Sequence, residues 1–199
     1  MSILDSKFYK ILDEVTSIVI LQFLWMVSCL AVVTIFPATM ALFSTSREKI
    51  ALKSSSVFRL YFKELYRYLW KGNLAGIPAF IVFFSLTYYP YAFFSMDGEY
   101  TFYLGIMSGF ILVIYILFLL HAVTLHFHIE LSFKQLLKNA FLLVFFKPLY
   151  TIGMLVSLVA IVVISLYFPI LLFLCSFSLI SYVSIYFVLK KIHHISIEV

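Results

Sequence analysis

Charge is what this sequence has least of. Asp, Glu, Lys and Arg make up 12% of its 199 residues, against about 25% in ordinary soluble chains. With 64% of residues hydrophobic and 20% aromatic, that shortage places the chain in a lipid bilayer, where Phe and Tyr suit lipid-facing and interfacial positions. Cysteine is nearly absent too. Cys29 and Cys175 both fall in apolar runs, where a thiol behaves as a small hydrophobe, so no disulfide framework and no reactive thiol is expected. No P-loop, dinucleotide-binding, zincin, nucleophile-elbow or C-x-x-C pattern occurs. The sequence therefore points to no catalytic residue, no cofactor and no metal, and to a protein that is not an enzyme. The net charge of +5 does not indicate nucleic acid, because no basic motif interleaved with stacking aromatics lies outside the apolar segments. Asp5, Lys7, Lys10, Asp13 and Glu14 do not make the basic head of a cleavable signal peptide, so the first apolar helix is expected to stay.

The first long run without charge, residues 15–46, would be roughly 48 Å long as a single helix, more than a hydrocarbon core of about 30 Å. Pro37 disfavours helical geometry at Phe36 and lacks a backbone donor. A first span over 15–36 is expected, then an apolar continuation, 37–46, that either leads on or folds back as a half-span. Before it, residues 1–14 read as an amphipathic interfacial helix, with Ile3, Leu4, Phe8, Ile11 and Leu12 on one face. Further spans are expected at 72–96, 101–127, 149–168 and 170–189. The fold class is all-α: a polytopic transmembrane bundle of about five spans, one domain over 1–199, with amphipathic cytoplasmic helices at the interface. Gly72 and Gly76, and Gly105 and Gly109, are spaced for close helix approach. Pro78 and Pro90 require neighbouring groups for the carbonyls they free.

Segment 47–71 holds Arg47, Lys49, Lys53, Arg59, Lys63, Arg67 and Lys71, opposed only by Glu48 and Glu64. Ser54-Ser55-Ser56 suits a turn and N-cap before a helix from about Val57, expected to lie on the bilayer surface with Phe58, Tyr61, Phe62, Leu65, Tyr68 and Leu69 inward. Ser132-Phe133-Lys134-Gln135-Leu136 echoes Tyr61-Phe62-Lys63-Glu64-Leu65. Arg59, Lys63 and Arg67, with Lys134 and Lys138, anchor these two stretches to anionic lipid or form a partner interface. The loop at 97–100 and the turn at Pro169 have no Lys or Arg. The positive-inside rule then puts the basic segments and the C-terminus in the cytoplasm and, for five spans, the N-terminus outside; a half-span at 37–46 would bring the N-terminus to the basic side.

Within the spans, polar candidates are few and none is acidic. His121 and Thr124 share a face of the third span. An ionisable group at that depth is a functional candidate, and a neutral His hydrogen-bonded to a neighbouring helix is the plainer reading. Gln22, the most polar residue of the first span, is read as an interhelical hydrogen-bonding group.

Leu21-Gln22-Phe23-Leu24-Trp25 followed by Thr34-Ile35-Phe36-Pro37-Ala38-Thr39-Met40-Ala41-Leu42 resembles the start of the YesL-like family of bacterial membrane proteins, a family of unknown function. Gln22 replaces the usual Asn, keeping an amide, and Phe36 stands where many members have Gly. The resemblance marks Gln22, Trp25, Thr34, Pro37, Ala38 and Thr39 as a motif; on physical grounds, a Thr34 or Thr39 hydroxyl is placed to cap carbonyls freed at a break there. It implies a bacterial cytoplasmic membrane protein, often encoded beside carbohydrate importers. The expected function is a non-enzymatic accessory subunit of an ATP-driven carbohydrate importer, partnered by permease or ATPase subunits. The alternative is a self-contained oligomeric transporter or channel, with a membrane enzyme centred on His121 behind both.

Overall fold

A computed structural model describes residues 8–52, 56–129 and 131–198. The described residues form an all-α bundle of eight α-helices with no strand. Four of them are long and apolar enough to cross a membrane: 11–29 within α1, and all of α3, α4 and α6.

α1 (Phe8–Cys29) ends well before Pro37. A short 3-10 turn, Val32–Thr34, reverses the chain, and α2 (Ile35–Leu52) runs back beside α1. The expected span over 15–36 is thus corrected to a helical hairpin. Pro37 stands in the first turn of α2, where its missing N–H is one that a helix start leaves unpaired in any case; it helps begin a helix rather than break one. Trp25 Nε1 donates to Thr39 Oγ1 (3.2 Å) near the tip, and Lys49 Nζ pairs with Asp13 Oδ2 (2.7 Å) at the open end. Together these contacts make the two helices antiparallel. Residues 8–14 belong to α1 itself instead of a separate interfacial helix; residues 1–7 of that expected helix lie outside the described residues.

Ser56 occupies the N-cap position of α3 (Val57–Phe94) without a side-chain cap bond; Ser54 and Ser55 lie outside the described residues. α3 is one continuous helix of 38 residues, about 57 Å long. The separate surface helix expected over its first part is corrected: nothing between Trp70 and Asn73 breaks the helical pattern, so it continues directly into the second span. Tyr61, Glu64, Tyr68 and Gly72 form its buried face. Gly72 and Gly76 lie against α2. A Cβ at Gly72 would stand 3.1 Å from the Pro37 backbone, and one at Gly76 would stand 2.2 Å from Phe36 Cγ. The bulk of Phe36 is therefore accommodated by an absent side chain on the facing helix. Gly105 meets the Phe94 ring, whereas Gly109 faces open space, so only half of that second glycine pair serves packing.

α4 (Glu99–His128) returns beside α3. Tyr115 donates its hydroxyl to Ala79 O (2.8 Å) beside Pro78, and Tyr68 meets Phe127 edge-on near the other end. α5 (Phe133–Phe145) is short and amphipathic and starts with a capping box between Ser132 and Gln135. The echo with 61–65 stops there, because Gln135 is exposed while Glu64 is buried. α6 (Pro148–Tyr167) has Pro148 at its start. The fifth expected span, 170–189, is divided by a break at Cys175 into α7 (Pro169–Leu174) and α8 (Ser176–Glu198).

α8 packs against α1, α2, α4 and α6, and Ser178, Ser181, Ser184, Val188 and Lys191 along it have no exposed area. It is the inner helix of the bundle. Ser165 and Ser176 meet at one end of the α6–α8 pair (2.6 Å), while Thr151 and Lys191 meet at the other (2.6 Å). Those contacts make the pair antiparallel. The starts of α1, α3 and α6 and the ends of α2, α4 and α8 therefore share one end of the bundle. The return of α2 beside α1 is the arrangement expected where 37–46 folds back rather than that of five successive spans.

Candidate functional site

Two polar centres hold the interior together. The first is built on the α1–α2 hairpin. Gln22 is almost fully buried, and its side chain crosses to the break between α7 and α8. Its Nε2 donates to Leu172 O (3.2 Å), while its Oε1 accepts from the Ser178 N–H (3.1 Å). The last carbonyls of α7 and the first amides of α8 lack intrahelical partners, and one amide side chain serves one group of each kind. Three residues on, Trp25 stacks on Phe177, with centroids 4.1 Å apart. Thr39 donates to Ile35 O (2.8 Å) as it accepts from Trp25. Thr34 donates to the carbonyls of Ser28 and Ala31 in the turn, whereas the Thr39 bond lies within α2 itself. Ala38 is fully buried. The structure thus brings Gln22, Trp25, Thr34, Pro37, Ala38 and Thr39 to one end of the hairpin, in a packing role.

The second centre lies toward the other end. Lys191 has no exposed area, and three bonds surround its ammonium: to Thr151 Oγ1 (2.6 Å), Leu143 O (2.7 Å) and His121 Nε2 (3.0 Å). An ammonium only donates, so Nε2 of His121 must be the unprotonated nitrogen. Nδ1–H then donates to Leu117 O (2.8 Å), which makes the imidazole neutral with its proton on Nδ1. Thr151 passes its own hydroxyl proton to Val144 O (2.7 Å). Leu143 and Val144 belong to the last turn of α5, whose carbonyls have no helical partners and carry the negative end of the helix dipole. Lys191 and Thr151 close that helix end. All three ammonium hydrogens have acceptors, and none of those acceptors is a carboxylate.

His121 therefore joins a cluster drawn from α4, α5, α6 and α8. Thr124 does not join it; its hydroxyl turns back to Leu120 O (2.8 Å) within α4. Glu64 is a buried carboxylate in α3 that accepts from Ser44 Oγ (3.0 Å), with the exposed Arg67 guanidinium 3.7 Å away. The sequence showed Glu64 only as one of two acidic residues opposing the cations of 47–71, and Lys191 falls just past the expected span over 170–189. For Lys191 a signal was available: it continues the Ser181, Ser184, Val188 periodicity of α8 onto the inner face. Arg59, Lys63, Arg67, Lys134 and Lys138 are all exposed. Among the described residues no three His, Cys, Asp or Glu side chains are grouped to hold a metal ion.

Residues 18–89 match the family DUF624, described as a protein of unknown function. That stretch covers the second half of α1, all of α2 and α3 as far as Tyr89. No curated protein and no solved structure matches the chain.

Proposed function

We propose that this chain is a non-enzymatic membrane subunit that docks onto an ATP-driven carbohydrate importer of the bacterial cytoplasmic membrane. The observation that carries this reading is the form of α3. Its first part presents Arg59, Lys63 and Arg67 on one exposed face, and its apolar 18-residue window has no residue buried within the bundle. A helix longer than the membrane is thick, with one side of its apolar part left exposed and cations on the exposed face of its first part, suits attachment to a second membrane protein and its cytoplasmic ATPase. Lys134 and Lys138 add exposed cations on α5. The positive-inside rule would set this basic end in the cytoplasm, and the YesL-like resemblance supplies the association with carbohydrate uptake.

The test is affinity purification of the tagged chain from its native membrane in mild detergent, followed by mass spectrometry. Stoichiometric permease or ATPase subunits, lost on substitution of Arg59, Lys63 and Arg67 by Glu, support the reading; recovery of this chain alone overturns it. The buried Lys191–His121 cluster favours a second reading, a self-contained transporter in which a polar interior handles the solute. Solute flux through liposomes containing only this protein would support that alternative.

A further inference from the structure

α3 buries Tyr61, Glu64, Tyr68 and Gly72, meeting α2 at Ser44 and Pro37 and α4 at Phe127. Residues two positions from these lie about 200° round the helix, and there Tyr66, Trp70 and Leu74 are 81%, 88% and 80% exposed. Beside them runs a row of cations, Arg59, Lys63, Arg67 and Lys71, one per turn and all exposed. Acidic groups do not neutralise the row. Glu64 turns inward to Ser44, with Arg67 3.7 Å away. Arg59 and Lys63 form no ion pair among the described residues. Glu48 belongs to α2, on the opposite side of α3. Glu130 lies outside the described residues, two positions past the end of α4, which also packs on that opposite side. From Arg59 to Lys71 the row is about 18 Å long, on a helix that Pro78 does not interrupt before its apolar stretch. A headgroup layer is only about 5–7 Å deep on each side of the hydrocarbon. A spanning helix tilted by as much as about 40° still sets roughly 14 Å of the row along the bilayer normal, so one layer of anionic lipid does not pair all of it. A second copy does not pair it either. The sequence has nine acidic residues, and no two of them are three or four positions apart, so no helix of this chain carries carboxylates one turn apart.

We infer that α3 docks an α-helix of a second protein that carries Asp or Glu once per turn. That helix lies lengthwise on the Arg59–Lys71 row, with its apolar residues on Tyr66, Trp70 and Leu74. Cations four residues apart are about 6 Å apart along the axis, the step at which a second helix presents its own one-turn pairs. The charges then select and align the partner, and the exposed Trp and Tyr supply the apolar anchors. This names the chemistry of the partner in the docking reading above and rests on that reading for there being one.

The test is photo-crosslinking in native membranes of the full chain carrying p-benzoylphenylalanine at position 70, with the crosslinked segment identified by mass spectrometry. The expected product joins a segment of another protein that has two or more carboxylates three or four residues apart. Arg59→Glu with Lys63→Glu should lower its yield roughly tenfold, and changing two of the partner's carboxylates to Lys should restore it. Arg59→Gln with Lys63→Gln should lower the yield by a smaller factor, a readout that remains if the reversed chain does not reach the membrane. Crosslinks only to lipid, to a second copy or to a segment without that spacing overturn the inference. So does the lack of any crosslink, or a yield that neither pair of substitutions lowers. An acidic helix from a protein outside carbohydrate import would sustain this inference and overturn the importer reading. Importer subunits that co-purify without crosslinking at position 70 would do the reverse.

Discussion

Removing His121 should cost more stability than removing Lys191, although both belong to one cluster. In His121→Leu the ammonium of Lys191 stays buried and loses one of three acceptors. Hydrogen bonds to charged groups contribute about 1.5–3 kcal/mol, and the charge they held stays buried, so a loss of about 2–4 kcal/mol is expected. In Lys191→Met the charge leaves along with its bonds. Leu143 O and His121 Nε2 are then orphaned at about 1–3 kcal/mol each, but the desolvation penalty of the ammonium, several kcal/mol, disappears. Thr151 keeps its bond to Val144 O. The two contributions for Lys191→Met nearly cancel, and a net loss of about 0–2 kcal/mol follows. The double variant should be less destabilised than the sum of the singles by about 1–3 kcal/mol, the signature of directly coupled groups. The assay is reversible unfolding of the four proteins in mixed detergent micelles, followed by far-UV circular dichroism. A harmless His121→Leu, or strict additivity in the cycle, would refute the claim that His121 acts as an acceptor for a buried cation.

Further consequences concern the hairpin. Replacing Gln22 by Leu leaves Leu172 O and the Ser178 N–H without partners; a loss of about 2–4 kcal/mol is expected, with faster amide exchange confined first to the α7–α8 break. Gly76→Val places a Cβ within 2.2 Å of Phe36 Cγ and should cost about 1–3 kcal/mol by overpacking, read as a lower melting temperature; the added Phe36→Gly change should recover part of it. For topology, single cysteines replacing Asp13 and Lys134 in a chain whose Cys29 and Cys175 are Ser should react with an impermeant thiol reagent from the same side of a vesicle. A cysteine at Gly98 should react from the opposite side. Labelling of the Asp13→Cys protein from the Gly98 side would exclude the returning α2.

Composition and periodicity alone established the class. A chain with this little charge and this much apolar sequence can bury its backbone in lipid only as helices, and the boundary near Val57, the reversal around Gly98 and the helix starting at Pro148 were all legible in local residue chemistry. The motif 34–39 was legible as a special junction too. Its outcome was not: Pro37 is compatible with breaking one helix or with starting the next, and only the contacts of Trp25 with Thr39 and of Asp13 with Lys49 choose the hairpin. That choice sets the end of the bundle at which the start of α1 lies. The join of the basic segment to the second span was hidden for a related reason, since a change from polar to apolar surroundings along α3 leaves its backbone geometry unchanged. Lys191 and Glu64 show the limit most clearly. A Lys beside another Lys at a span end reads as an interfacial anchor, and a Glu among cations reads as a solvated counter-charge. Whether either is buried depends on which neighbour covers that face of the helix. His121 was visible as an unusual residue in an apolar span, but its acceptor role required α5, α6 and α8 to converge on it from residues up to 70 positions away, a distance over which sequence spacing carries no geometry.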